Sequence, residues 1–313
     1  DLHLSLRRLR QMCIRDRRMS EDRSRGAFSV NAGGRDQVYL FDPSSHQYNS
    51  VSDIPVGRAS LGAFSPDNRQ LAMTLNTATS PSDIFTLPVS TDGLDHGAMT
   101  RWTASEVAGL DASQFVEPTL IHYPTFDSVQ GVPRPIPAWV YKPVSEGPHP
   151  VIISIHGGPE SQFRPGFSST FQQWIADLGA AVIAPNVRGS AGYGRHYVQL
   201  DNGFKREDSV RDIGALLDWI ETQPDLDKDR IAVFGGSYGG YMVLASMVHY
   251  SDRLAAGVDI VGISNFVTFL ENTEDYRRDL RRVEYGDERD PKMRVHLESC
   301  LLYTSPSPRD VEE

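Results

Sequence analysis

One serine in this sequence is surrounded by glycines in a pattern that can build a nucleophile. The stretch GGSYGGY, residues 235–241, places Gly235, Ser237 and Gly239 at the spacing G-x-S-x-G. The apolar run RIAVF precedes it, and the run YMVLASMV follows. A strand, a tight turn and a helix are the context in which this motif exposes a serine hydroxyl. The pattern predicts Ser237 as a catalytic nucleophile that attacks a carbonyl carbon.

A tight turn at Ser237 would explain the glycines of this stretch on steric grounds. Gly235 and Gly239 are predicted as elbow glycines, because larger side chains there would collide with the strand or the helix. Free N–H groups in the first helical turn stabilise negative charge, so the backbone N–H of Tyr238 is predicted as one oxyanion donor. The alternative is a glycine-rich packing turn, or a G-x-x-x-G helix contact through Gly236 and Gly240.

A second glycine-rich segment, His156-Gly157-Gly158-Pro159, follows the apolar run VIISI. It resembles the HGGG-type segment that supplies the second oxyanion donor in α/β-hydrolases. The backbone N–H of Gly158 is the predicted donor, with Gly157 as a further candidate. The two motifs, in this order and each after an apolar run, indicate a serine hydrolase. The loop NVRGSAGYG, 186–194, has the wrong glycine spacing for a dinucleotide site and is predicted to lie near the site mouth.

Short apolar runs and one amphipathic stretch define the elements that would position these residues. The runs at 151–156, 180–184, 230–234 and 257–261 have the continuous apolar character of strands buried on both faces. Residues 205–222 carry apolar residues at spacings of three and four, which predicts a helix. We therefore expect an α/β domain with a mostly parallel sheet and helices on both faces.

The N-terminal part has a different pattern of short alternating β-prone runs. The runs at 37–46 and 83–92 begin 46 residues apart, and a predicted hairpin around the turn SPDN lies between them. Repeats of this length built from short strands are typical of β-propeller blades. We predict the C-terminal blades of a propeller over 19–117; the alternative is a small irregular β-domain. A proline-dense stretch, 124–150, marks the change to the α/β pattern.

Both ends of the chain resemble translated sequencing adaptor. The stretch RRLRQMCIRDR, 7–17, and the stretch CLLYTSPSPRD, 300–310, match the two halves of one transposase adaptor. Residues 1–18 and 300–313 are therefore expected to be non-native and are excluded from fold reasoning. The alternative is a natural basic helix and a polar tail.

Composition limits the classes of partner. The 313 residues carry a net charge of −10 and 39% apolar residues, so we expect a folded protein that does not bind nucleic acid. Apolar runs are too short for a membrane helix. Both cysteines, Cys13 and Cys300, fall in the adaptor-like ends, so no disulfide, metal cluster or thiol nucleophile is inferred. No cofactor is predicted, and localisation is left open with the cytoplasm as the first alternative.

Four segments together resemble the prolyl oligopeptidase family of serine peptidases, in its acylaminoacyl-peptidase and dipeptidyl-peptidase-like branch. They are HGGPE, APNVRGSAGYG, GGSYGGYM and YRRDLRRVEYGDERDP, and the likeness covers 118–299. The resemblance implies an α/β-hydrolase domain preceded by a propeller that limits access to short peptides. It also implies hydrolysis through an acyl-enzyme on Ser237, with a peptide as the partner; a homo-oligomer is left open.

The resemblance places the triad acid and base well after the nucleophile, yet only 62 residues separate Ser237 from Ser299. His249, His296 and Asp259 do not resemble the family's catalytic segments, so neither partner is assigned. We expect this chain, taken alone, to be inactive. The rival functions are a carboxylesterase or lipase-type hydrolase and a catalytically dead interaction protein.

The charged segment YRRDLRRVEYGDERD, 276–290, has two interpretations. A solvated helix laced with ion pairs is the first, and a face toward substrate or an interface is the second.

Overall fold

A computed structural model describes residues 14–107 and 109–300 of the chain. The chain divides into two compact units, which are described separately below. The first unit holds the described residues up to Thr119 with Phe163–Leu178 and Gly192–Gly194, and the second holds Leu120–Gln162, Gly179–Ala191 and the described residues from Arg195. The predicted domain limits at 117 and 118 stay a prediction.

The first unit contains two four-stranded sheets, each an antiparallel meander in chain order. The strands are β1 (Ile14–Met19), β2 (Gly26–Ala32), β3 (Arg35–Phe41) and β4 (Tyr48–Ser50), then β5 (Gly57–Phe64), β6 (Gln70–Thr77), β7 (Ser80–Pro88) and β8 (Thr100–Arg101).

Alternation of apolar and polar residues explains how these two sheets pack. Val38 and Leu40 of β3 share one buried cluster with Leu71 and Met73 of β6, while the alternate residues of both strands lie on the opposite faces of their sheets and are less buried. The predicted hairpin around SPDN is confirmed as β5 and β6. The two predicted repeats correspond to β3 and β7, the third strand of each sheet. Each sheet has the strand count of a propeller blade, and closure into a ring stays a prediction.

Part of the adaptor-like N-terminal segment is described. Ile14–Met19 forms β1 at the edge of the first sheet, where it pairs with β2 and is mostly exposed. Cys13 and 301–313 lie outside the described residues, and Cys300 follows the last helix. The non-native origin of both ends stays a prediction.

The second unit is built on a six-stranded sheet of order β14-β13-β11-β12-β10-β9. Strand β11 is parallel to β12 and to β13, β13 is parallel to β14, and β10 is antiparallel to β12. The α/β class is confirmed, with a mixed sheet. The strands are β9 (Thr119–Val129), β10 (Val132–Tyr141), β11 (His149–Ile155), β12 (Ala181–Pro185), β13 (Leu226–Gly236) and β14 (Ala256–Ile260).

Helices connect and cover these strands. The predicted amphipathic helix is α3, whose apolar stripe is buried; helix α4 is apolar nearly all round and is buried along most of its length. The helices are α1 (Ser169–Leu178, counted with the first unit), α2 (Arg195–Val198), α3 (Asp208–Glu221), α4 (Tyr238–His249), α5 (Phe266–Glu271), α6 (Asp275–Tyr285) and α7 (Pro291–Ser299).

The edge strand β14 differs from its neighbours in exposure. All five of its residues are exposed, including Val258 and Ile260, whereas the five residues of β12 are all buried. An exposed apolar edge strand offers unpaired backbone groups to another chain. None of the helices within the described ranges is long and apolar enough to cross a membrane.

Candidate active site

Ser237 occupies a strained turn between a strand and a helix. Strand β13 ends at Gly236 and helix α4 begins at Tyr238, so the predicted strand-turn-helix context is present. Ser237 has φ 56° and ψ −121°, a conformation that non-glycine residues rarely adopt. Its N–H donates to the carbonyl of Ile260 at 2.9 Å, and its carbonyl accepts from the N–H of Tyr241 at 3.1 Å. These bonds hold the backbone while the side chain stays exposed.

Steric contacts explain the glycines on each side of this serine. A Cβ at Gly235 would lie 2.4 Å from the carbonyl oxygen of Gly239, and a Cβ at Gly239 would lie 2.2 Å from that of Ile155. A Cβ at Gly236 would meet nothing closer than 3.5 Å. Of these three positions, the two predicted as elbow glycines are therefore the crowded ones, as the geometry of a tight strand-to-helix turn requires.

Gly240 is crowded for a different reason. A Cβ there would lie 2.1 Å from Asp259 Oδ1 and 2.6 Å from the Cα of Gly262. This glycine allows the segment after β14 to approach the first turn of α4. Packing therefore also accounts for part of the glycine content of the motif.

The HGGP segment lies beside the serine. A Cβ built on Gly157 would lie 3.9 Å from Ser237 Oγ, and Gly158 has φ 136°, in the region that favours glycine. His156 Nδ1–H donates to the carbonyl of Gly157 at 2.8 Å, and its Nε2 lies 2.9 Å from Ser190 Oγ. Burial lowers the pKa of His156, which favours the neutral ring.

The loop 186–194 contacts the HGGP segment through Ser190 and His156. Ser190 Oγ contacts His156 and donates to the carbonyl of Val187 at 2.6 Å. Arg188, on the same loop, is buried and pairs with Asp212 at 2.8 Å, and the carboxylate of Asp212 also accepts from the N–H of Arg188 at 3.0 Å. The loop therefore contacts the HGGP segment and is held by a buried ion pair, while its place near the site mouth stays a prediction.

The predicted oxyanion donors are backbone N–H groups of two segments that adjoin Ser237. Tyr238 is the first residue of α4, and the first N–H groups of a helix have no intrahelical acceptor. Gly158 follows Gly157, where an added Cβ would lie 3.4 Å from Ser237 Cβ. The oxyanion roles of Tyr238, Gly158 and Gly157 stay predictions, as does the nucleophile role of Ser237.

A cleft of about 400 Å³ opens at Ser237 between the segment after β14 and helix α5. Its lining mixes amide and hydroxyl groups of Asn265 and Thr268 with the apolar side chains of Ile263 and Phe269. Asn265 caps α5 through bonds to the N–H groups of Val267 and Thr268. A lining of neutral polar groups beside apolar ones suits a neutral ligand with hydrogen-bonding groups.

The candidate acids and bases downstream are accounted for by other contacts. His249 Nε2 lies 3.6 Å from Glu207 Oε1, and the ring of His296 packs on Phe204 with centroids 5.1 Å apart. Asp259 Oδ1 lies against Gly240, as described above. Among the described side chains, no three of His, Cys, Asp and Glu are grouped so as to hold a metal ion.

Sequence reasoning missed a buried polar network beneath the first turn of α4. The hydroxyl of Tyr238 lies 2.8 Å from Ser209 Oγ and 3.4 Å from Arg206 Nη1. Arg206 is fully buried; it pairs with Asp201 at 2.6 Å and donates to the carbonyl of Glu284 at 2.5 Å. The signals in the sequence are isolated charged residues in ordinary polar segments, which give no indication of burial.

Asp201 makes the stability of the second unit depend on pH. Burial raises the pKa of Asp201 from 3.8 to about 6, because the desolvation outweighs the attraction of Arg206, and the nearby Glu284 adds to the rise. The native state therefore holds a proton between about pH 4 and 6 that the unfolded chain has released. Proton binding by Asp201 therefore stabilises the native state in acid. This contribution to the free energy of unfolding is lost as the pH rises from about 4 through 6.

We expect Asp201→Asn to remove that pH dependence. Urea unfolding at several pH values from 4 to 7 should show a slope of stability against pH that differs from that of the parent chain by up to about 1.4 kcal/mol per pH unit. The matched control is Asp229→Asn, at a carboxylate that is 79% exposed. Parallel profiles for the parent and Asp201→Asn would show that Asp201 does not titrate in this window.

Part of the chain is similar in sequence to proteins named as peptidases. Residues 165–300 match the sequence model described as the prolyl oligopeptidase family. Dipeptidyl aminopeptidase BIII of Pseudoxanthomonas mexicana is 36% identical over 132 residues, which are 42% of this chain and 19% of that protein. The uncharacterized peptidase YuxL of Bacillus subtilis (strain 168) is 30% identical over 66% of this chain and 30% of its own length.

The fold has a counterpart among solved structures. Prolyl oligopeptidase B from Galerina marginata matches 93% of this chain and 40% of its own chain, with a TM-score of 0.77 at 18% identity. The chain thus spans less than half of the length of each of these proteins. The family match contains Ser237, the elbow glycines, the cleft and α6. On this evidence, the chain carries a domain of the prolyl oligopeptidase family.

Proposed function

We propose that this chain is part of a serine peptidase that hydrolyses short peptides through an acyl-enzyme on Ser237. The observation that carries the proposal is the strained, exposed Ser237 at the end of β13, with the Gly157 segment beside it and a cleft in front. The relatives named as peptidases support the peptide as substrate. An α/β-hydrolase fold is supported by the sheet of the second unit, and a propeller by the paired four-stranded sheets of the first.

The reaction follows from this geometry. Ser237 Oγ attacks the peptide carbonyl carbon, the carbonyl electron pair moves to oxygen, and the N–H groups of Tyr238 and Gly158 stabilise the oxyanion. The C–N bond then breaks, the amine leaves with a proton, and water releases the acyl group from the serine. The general base that takes the hydroxyl proton is not assigned to a described residue, because His249 and His296 do not resemble the catalytic histidine segment of the family.

A fluorophosphonate probe tests the nucleophile without requiring turnover. Ser237 Oγ attacks phosphorus, fluoride leaves, and a stable phosphonyl ester forms whose mass locates the modified residue. Because no base activates the hydroxyl, we expect slow labelling that needs prolonged incubation and gives a single adduct on Ser237 in the 313-residue chain and none in Ser237→Ala. The matched control is Ser264→Ala, a serine of the same cleft, which should label like the parent. Labelling that persists in Ser237→Ala would contradict the proposed nucleophile.

The same preparation tests the expectation of low activity. Without a positioned base the hydroxyl is a weak nucleophile, so hydrolysis of a dipeptide 4-nitroanilide should be slower by a factor of roughly 10⁴ or more than with a complete triad. Turnover at the ordinary rate of a serine peptidase, lost in Ser237→Ala, would show that a base is present. It would support the proposed function and contradict the expected inactivity.

A further inference from the structure

The carbonyl groups of both glycines in the HGGP segment are held by side-chain donors. His156 Nδ1–H donates to the carbonyl of Gly157 at 2.8 Å, and Arg281 Nη1 donates to the carbonyl of Gly158 at 3.2 Å. The N–H of Gly158 belongs to the same peptide group as the anchored Gly157 carbonyl, and the anchored Gly158 carbonyl follows on the other side of the Gly158 α-carbon. Since neither glycine has a side chain to restrict its backbone, these bonds fix the direction of that N–H.

Helix α6 contacts the HGGP segment at a second point. Arg281 Nη1 pairs with Glu284 Oε2 at 2.7 Å, and Glu284 Oε1 accepts from the N–H of Glu160 at 3.4 Å. The pair therefore spans Pro159, with Arg281 on the residue before it and Glu284 on the residue after it. The side chains are 23% and 7% exposed, so water screens them less than it screens the outer charges of the helix.

The same turn of α6 also reaches the other predicted donor. The carbonyl of Glu284 accepts from Arg206, and Arg206 Nη1 lies 3.4 Å from the hydroxyl of Tyr238. The ring of Tyr285 packs edge-on against that of Tyr238, with centroids 6.1 Å apart. One helical turn thus connects the segment that carries Gly158 with the residue that begins α4.

The opposite face of α6 has none of these contacts. Tyr276, Leu280 and Val283 are exposed there. The segment YRRDLRRVEY is therefore a helix with a solvated face and an inner face toward the site.

We propose that Arg281, supported by Glu284, is a positioning residue that preorganises the Gly158 N–H for the oxyanion. The inference rests on the proposed function, because it gives that N–H a role in the reaction. Arg281 acts through the Gly158 carbonyl and makes no bond to the reacting atoms. Preorganised donors lower the barrier because no reorganisation is needed as charge develops. Loss of the anchor should therefore slow the chemical step and leave ground-state binding nearly unchanged.

Isotope labelling of glycine isolates the peptide group in question. The sequence contains four Gly–Gly pairs, at 33–34, 157–158, 235–236 and 239–240. A chain labelled with ¹³C-carbonyl and ¹⁵N glycine gives one HNCO signal for each pair, and the signal of 157–158 joins the Gly157 carbonyl to the Gly158 N–H. We expect Arg281→Met to shift or split that signal and to leave the signal of 33–34 in place.

The matched control is Arg278→Met, on the same helix with its bond to the carbonyl of Thr273, which should leave all four signals unchanged. Glu284→Gln should move the 157–158 signal in the same direction as Arg281→Met. If Arg281→Met does not fold, Arg281→Lys is measured in its place. An unmoved 157–158 signal in the folded Arg281 variant would overturn the proposal, whatever the activity of the chain.

Probe kinetics give the functional side of the test. In Arg281→Met the maximal rate constant for phosphonylation of Ser237 should fall about tenfold, since the loss of a whole oxyanion donor costs more, roughly 10²-fold to 10³-fold. The probe concentration at half-maximal rate should change less than about twofold. A change confined to that concentration would mean direct contact with the ligand and would overturn positioning. Failure of the proposed function would appear separately, as no Ser237 adduct in the parent chain.

Discussion

Replacing Arg206 by methionine is expected to lower the free energy of unfolding by about 3–5 kcal/mol. The guanidinium is fully buried and pairs with Asp201, donates to the carbonyl of Glu284 and lies 4.7 Å over the ring of Tyr285. Methionine keeps most of the apolar stem but leaves the carboxylate of Asp201 buried without its cation. Uncompensated burial of a charge is among the largest effects that a single substitution can have.

Urea unfolding followed by tryptophan fluorescence at pH 7 measures this loss. The control is Lys228→Met, which removes a cation that is 57% exposed and should cost less than about 1 kcal/mol. The double variant Arg206→Met with Asp201→Leu should recover part of the loss, because both charges are then absent. A loss below 1 kcal/mol in the single variant would show that Asp201 finds another partner or a proton at no cost.

The elements of the second unit could be predicted because their signals are local. Strand β11 and helix α3 are encoded by continuous apolar runs and by a spacing of three and four, and both lie where the sequence places them. The strand-turn-helix around Ser237 is local as well, since its glycines and apolar flanks are contiguous. The sheet order is not local, and the antiparallel pairing of β10 with β12 has no signal in either segment.

The network around Tyr238 could not be predicted either, because its contacts join residues that are far apart in the sequence. Arg206 stands in the polar segment FKRED, and Asp201 and Glu284 stand in segments that resemble exposed turns and helices. Their burial depends on three distant parts of the chain that meet beneath α4. Arg281 is similar: its spacing within α6 predicts a helix, but only the fold brings the HGGP segment against it. Sequence patterns therefore located the candidate nucleophile but not the residues that support it.

Alanine at Gly239 should destabilise the second unit much more than alanine at Gly236. A Cβ at Gly239 would lie 2.2 Å from the carbonyl oxygen of Ile155 and 3.1 Å from that of His156, and neither backbone group can rotate away. We expect a loss of about 3 kcal/mol or more, at the upper end of overpacking effects. At Gly236 the nearest atom would be 3.5 Å away, so the change should stay within about 1 kcal/mol. Urea unfolding of both variants measures the difference.

This pair of variants also decides between the two interpretations of GGSYGGY. A nucleophile elbow needs small residues two positions before and after the serine, so Gly235→Ala, whose Cβ would lie 2.4 Å from the Gly239 carbonyl oxygen, should resemble Gly239→Ala. A packing contact of the G-x-x-x-G type would instead make Gly236 and Gly240 the sensitive pair. Equal losses at Gly236 and Gly239 would contradict the elbow. Any Gly239→Ala protein that still folds should react poorly with the fluorophosphonate probe at Ser237. The added methyl group displaces the end of β11, after which the HGGP segment begins.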